Sequence, residues 1–144
     1  MKIVIRAGGV GTRLWPWSRS DRPKQFLPFF EDRSCVQVAY DRFARSDMAE
    51  PEDVYLSINK DNYELARAQL PELPEDNIIV EPATRDTAPA IGLETIWVAA
   101  EEPDAVIASL GSDHYVGKPE NFLKALQTAE RFLSDNPSYL MAVA

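Results

Sequence analysis

Ile3-Val4-Ile5-Arg6-Ala7-Gly8-Gly9-Val10-Gly11-Thr12-Arg13-Leu14 is a short apolar run that breaks directly into a glycine-rich segment. The run does not alternate between apolar and polar residues, which is the pattern of a strand covered on both faces. Glycines placed after such a strand allow positive φ and let backbone N–H groups approach an anion without a side chain in the way. Successive inward-facing N–H groups make a concave anion nest, so Ala7, Gly8, Gly9, Gly11 and Thr12 are candidate anion contacts. Arg13 adds a planar fork suited to phosphate oxygens. Lys24, held next to Pro23, brings a second positive charge from the end of the same long loop.

Working outward, four more apolar runs are expected strands: residues 54–58, 78–81, 105–110 and 139–143. Helical stretches separate them. Ser34 with Gln37 three residues on makes a capping box for a helix through Arg45. Residues 62–70 are amphipathic and stopped by Pro71. A helix following Thr87 runs to Ala100, with Pro89 tolerated in its first turn. Pro119 opens a last helix that ends before Asn136-Pro137. Alternating strand and helix specify an α/β, mostly parallel sheet with helices on both faces, because each parallel crossover needs a helix. In such sheets ligands sit at the carboxyl ends of the strands. Three segments stand there: residues 8–25, 81–88 and 111–115.

Composition agrees with one globular domain and narrows its partners. A chain of 144 residues buries roughly 70% of its unfolded surface. The net charge of -8 argues against non-specific nucleic-acid binding. Residues 1–33 nevertheless carry seven Lys/Arg against three Asp/Glu, an excess of positive charge gathered around the glycine loop. The single cysteine, Cys35, permits neither an internal disulfide nor a cysteine zinc site. No signal peptide or membrane span is legible, so a cytoplasmic location without membrane partners is expected. The sequence stops inside the apolar run Tyr139-Leu140-Met141-Ala142-Val143-Ala144, where domains seldom end. Residues 1–144 are therefore read as part of a larger domain, truncated at its C-terminus.

Two familiar phosphate loops do not fit. No Lys-Ser/Thr follows the glycines, as a P-loop requires. The dinucleotide pattern has Leu14 at its third glycine, and although Glu31 lies at about ribose-partner distance, three prolines occupy the intervening segment. The longer string is more specific. Gly8-Gly9-Val10-Gly11-Thr12-Arg13-Leu14-Trp15-Pro16, then Ser18-Arg19, then Pro23-Lys24-Gln25-Phe26 resembles the opening of the mannose-1-phosphate guanylyltransferases. This resemblance implies a Rossmann-like, nucleotide-diphospho-sugar transferase-like fold. Two residues depart from the family pattern: Arg6 stands where an aliphatic residue is usual, and Trp17 where Leu is common. Arg6 either leans into the phosphate site or pairs with a carboxylate such as Asp113.

Glu81-Pro82-Ala83-Thr84-Arg85-Asp86-Thr87-Ala88-Pro89-Ala90-Ile91 resembles the family's base-reading segment, and Glu81, Asp86 and Thr87 are assigned to it. Without the resemblance, the same residues describe a strand end, a proline turn and a Thr N-cap. Leu110-Gly111-Ser112-Asp113-His114 resembles the element that carries the family's metal carboxylate. A hard carboxylate suits Mg²⁺ held jointly with substrate phosphates, and Asp113 is the expected ligand. His114 is not assigned as a base, because phosphate oxygens are already nucleophilic. The resemblance implies that GTP and mannose 1-phosphate give GDP-mannose and pyrophosphate, with Arg13, Lys24 and Asp113 catalytic. Alternatives are another sugar phosphate, such as glucose 1-phosphate with UTP or dTTP, and a non-catalytic nucleotide-binding module. Homo-oligomerisation is left open.

Overall fold

The computed structural model describes residues 1–140 other than Val10, Glu31 and Thr84; the side chains of Thr12 and Phe30 also lie outside the description. Four parallel strands form the central sheet: β1 (Lys2–Arg6), β4 (Val54–Asn59), β5 (Ile78–Glu81) and β6 (Ile107–Gly111), in the order β5-β4-β1-β6. A small antiparallel pair, β2 (Pro28–Phe30) and β3 (Arg33–Ser34), stands apart from it. Three α-helices fill the crossovers, α1 (Cys35–Ala44), α2 (Tyr63–Gln69) and α3 (Thr87–Glu101), and α4 (Pro119–Asp135) follows β6.

Side chains alternate across the sheet, and the two faces differ in character. Ile3, Ile5, Leu56, Ile58, Ile78 and Ala108 point to one face, where they pack with Val36, Tyr40 and Phe43 of α1, Ala66 of α2, and the edge of α4. Val4, Tyr55 and Ile79 point to the other face and meet Val98 and Leu93 of α3. Both faces are thus covered, which is why the strands read as continuous apolar runs. Ser34 caps α1 and Gln37 completes the capping box, as its spacing predicts. No helix among the described residues is long and apolar enough to cross a membrane.

Chain order in the sheet reverses beside β1. The chain steps outward from β1 to β4 to β5 and then returns to place β6 on the other side of β1. β4 and β6 thus flank β1 on opposite sides, and the point where the strand order reverses, at the carboxyl ends of β1 and β6, is where such sheets take their ligands.

Several local expectations need correction. Tyr139 and Leu140 are not strand, and residues 141–143 of the expected last strand lie outside the described residues, as does Glu31. The N-cap of α3 is Asp86 rather than Thr87, which is the first helical residue. Residues 28–34 hold a hairpin that was not expected, because its strands of three and two residues are too short to show periodicity.

Candidate active site

Backbone hydrogen bonds carry the ends of the central strands past their last paired residues. The N–H of Ala7 donates to the carbonyl of Ser57 at 2.7 Å, and the N–H of Ser112 donates to the carbonyl of Arg6 at 3.0 Å. The first residues of the glycine loop and of the Gly111-Ser112-Asp113 turn are therefore fixed side by side at the switch point.

The loop leaves β1 and doubles back. Gly11 has φ +71°, and a Cβ built there would lie 2.7 Å from Cγ of Lys24 and 2.9 Å from Oγ of Ser18. Only glycine meets both the backbone and the space requirement. Lys24, in the short 3-10 turn Lys24–Phe26, packs on Gly11 and extends its ammonium to Oδ2 of Asp113. That hydrogen bond is the chief reason the Asp113 carboxyl is held below the ordinary carboxylate range. A cation from the loop and the carboxylate after β6 thus meet across the crevice, 89 residues apart in sequence.

Glu81 arrives from the far edge of the sheet. A Cβ on Gly8 would lie 2.7 Å from its Oε1, so the carboxylate reaches across β4 to the loop backbone. Ser57, on β4, donates to the same oxygen at 3.5 Å. Burial pushes the Glu81 carboxyl up; Ser57 and the nearby charge of Arg6 oppose this. Ala7, Gly8, Gly11, Lys24, Glu81 and Asp113 are in this way gathered at one rim.

Arg13, Asp86 and Thr87 are exposed and make no ion pair or side-chain hydrogen bond among the described residues. Gly9 is likewise exposed, with open space where a Cβ would be. The side chain of Thr12 lies outside the described residues. Asp86 has φ +66° and ψ -174°, a region that glycine alone occupies readily. Such an outlier is the kind of strain that functional positions retain.

Arg6 takes neither of the expected partners. Lys24 occupies Asp113, and Arg6 donates instead to Oγ of Ser109 at 2.9 Å. The Ser109 hydroxyl passes its own proton toward Oε2 of Glu94, a residue only 1% exposed. Parity explains the result: Arg6 shares a face with Val4, toward α3, whereas the glycine loop leaves from the end of the strand. The carboxylate on α3 had no signal in sequence, because Glu94 sits in a mostly apolar helix that contains no Lys or Arg to pair with it. Two further residues, Gln25 and Asn59, also belong to the site. Gln25 lay inside a quoted motif without a role, and Asn59 closes β4 with no local signature.

Among the described residues, no group of three or more His, Cys, Asp or Glu is placed to hold a metal ion. A single carboxylate beside an anion loop fits Mg²⁺ shared with phosphates and water, not a cage built by protein alone.

The nucleotidyl transferase family model matches residues 2–141. The chain belongs to the nucleotidyl transferase family. Relatives of this family member include mannose-1-phosphate guanylyltransferases from Klebsiella pneumoniae, 36% identical over 92% of this chain, and Salmonella typhimurium, 37% identical over 92%. It spans only 28% of the length of each of these relatives. Among solved structures, the Thermus thermophilus protein described as mannose-1-phosphate geranyltransferase superposes with a TM-score of 0.79. It is 37% identical, with 91% of this chain and 37% of that chain covered. A Helicobacter pylori protein described as mannose-6-phosphate isomerase shares the fold at a TM-score of 0.69 and 19% identity, covering 93% of this chain and 46% of that one. The expected Rossmann-like fold and the expected family are both borne out.

Proposed function

We propose that this chain is the nucleotide-binding part of an enzyme that transfers GMP from GTP to mannose 1-phosphate, giving GDP-mannose and pyrophosphate. The observation that carries the reading is the meeting of Lys24 and Asp113 across the switch-point crevice, against Gly11 of an anion loop. The choice of guanine and mannose is supported by the names of the relatives, which match nine-tenths of the chain.

Each residue has a role in the proposal. The sugar phosphate oxygen attacks the α-phosphorus in line, so the protein's task is positioning and charge stabilisation. Backbone N–H groups of Gly8, Gly9, Gly11 and Thr12 align the triphosphate. Arg13 and Lys24 offset charge on the departing pyrophosphate; a triphosphate offers Lys24 a more highly charged partner than Asp113. Asp113, relieved of Lys24, is the residue that would hold Mg²⁺, and Glu81, Asp86 and Thr87 form the base-reading side. When bound, Mg²⁺ would neutralise charge on the α- and β-phosphates.

Sugar recognition is assigned to the part of the relatives' length that this chain does not span, and a cytoplasmic setting fits both substrates. The 144-residue chain is therefore expected to bind nucleotide without releasing pyrophosphate from GTP and mannose 1-phosphate. Calorimetry of GTP against UTP, each with Mg²⁺, tests the reading. Tighter GTP binding supports it, and equal or tighter UTP binding moves the assignment to a different sugar nucleotide. The presence of Arg13, Lys24 and Asp113 together argues against a non-catalytic module.

A further inference from the structure

The loop carbonyls Ala7, Gly8 and Gly9 are all taken by side-chain amides. Nε2 of Gln25 donates to the carbonyl of Ala7 at 2.5 Å and to that of Gly9 at 2.8 Å. Nδ2 of Asn59 donates to the carbonyl between them, Gly8, at 3.1 Å. Gln25 is 1% exposed, so it holds the loop from the protein side. A carboxamide has two N–H hydrogens, and Gln25 spends both on the loop. Its own Oε1, and Oδ1 of Asn59, are buried without a partner among the described residues. Unpaired buried acceptors cost stability, so these amides are oriented by what the loop needs and not by their own satisfaction. On the opposite side of the peptide planes, the N–H groups of Gly8 and Gly9 find no acceptor among the described residues. Peptide geometry links the two facts: drawing consecutive carbonyls inward turns N–H groups outward.

We infer that Gln25 and Asn59 are positioning residues, an amide clamp that presets the glycine loop as an anion receptor by holding the carbonyls of Ala7, Gly8 and Gly9 away from the ligand. This rests on the nucleotidyltransferase reading above for the identity of the anion, a nucleoside triphosphate. It does not rest on that reading for the conformation of the loop.

The molecule contains its own control. Nδ2 of Asn77 donates to the carbonyls of Glu52 at 2.8 Å and Val54 at 2.9 Å, at the opposite end of β4. Asn77→Leu therefore loses as many hydrogen bonds as Gln25→Met, away from the loop. The full chain and these two variants are titrated by calorimetry with Mg-GTP and with inorganic triphosphate. Thermal unfolding and amide NMR of Gly8 and Gly9 are recorded alongside. Gln25→Met is expected to weaken both ligands by about 10–100-fold, the range typical when a partner that orients a binding group is lost. Asn77→Leu should lower Tm comparably while changing affinity by less than about twofold, as a distant site should. The Gly8 and Gly9 amide resonances should move in Gln25→Met and stay in Asn77→Leu without any ligand. If Gln25→Met does not fold, Asn59→Leu carries the same readouts. Parent-like affinity and unmoved amides in the clamp variant overturn the inference. If the parent chain binds neither GTP nor triphosphate, the functional reading fails, and the amide resonances alone decide the clamp.

Discussion

Replacing Arg6 and Glu94 by leucine, singly and together, tests whether a buried polar path replaced an apolar contact on the α3 face. Arg6 donates to Ser109, and Ser109 donates to Glu94, whose Oε1 is buried without a partner among the described residues. Burial pushes the Glu94 carboxyl up; the hydrogen bond from Ser109, the nearby Ser57 hydroxyl and the charge of Arg6 oppose this, while Glu81 adds to it. Arg6→Leu removes the cation beside a carboxylate that is 1% exposed, with an expected cost of about 1–3 kcal/mol at pH 7. Glu94→Leu costs less, about 1 kcal/mol, because the half-buried Arg6 can turn toward water. The double variant should return to within about 1 kcal/mol of the parent or exceed it, since an apolar pair replaces a polar one outright. The coupling is then at least about 1–3 kcal/mol, read by urea unfolding of the four chains. The sign of the pH dependence follows from linkage. A carboxyl whose folded value is raised holds its proton more tightly when folded, so its contribution is full below the unfolded value and is lost as pH rises through the folded one. The Arg6→Leu penalty should therefore shrink as pH falls toward the ordinary carboxylate value, and Glu94→Leu should flatten the decline of stability as pH rises above that value, leaving the share of Glu81, which has the same sign. Additive costs, within about 0.5 kcal/mol at pH 7, would refute the coupling.

Other predictions address the site. In a version extended to the length of its relatives, Arg13→Ala should lower kcat/KM by on the order of 10²–10³, the scale of one transition-state donor; a loss under about fivefold removes Arg13 from the mechanism. Asp113→Asn should abolish the Mg²⁺ dependence of GTP binding in calorimetry with and without the ion. Its effect on stability should stay below about 1 kcal/mol, because the pair with Lys24 is partly solvated. Asp86→Gly should raise Tm, since it relieves backbone strain of about 1–3 kcal/mol against a smaller gain in unfolded-state entropy. If Asp86 reads the base, the same variant should weaken GTP while leaving inorganic triphosphate unchanged, and a lowered Tm contradicts the strain argument.

Local chemistry made much of this protein legible before any coordinates. The apolar runs that became β1, β4, β5 and β6, the capping box at Ser34 and Gln37, and the glycine turn before Arg13 are properties of neighbouring residues. They could be read because hydrogen bonding, φ preference and apolar patterning act over a few positions. Tertiary structure decided what depends on strand order and on side-chain parity. The return of the chain past β1 brought Asp113 to Lys24, and the earlier outward step to β5 set Glu81 where it reaches across β4 to Gly8. The same parity turned Arg6 toward Ser109 and Glu94 instead of toward the loop. Gln25 and Asn59 show the boundary most clearly. An amide is recognisable in a sequence, but the carbonyl that it holds is chosen by a fold that joins residues 16 and 51 positions away.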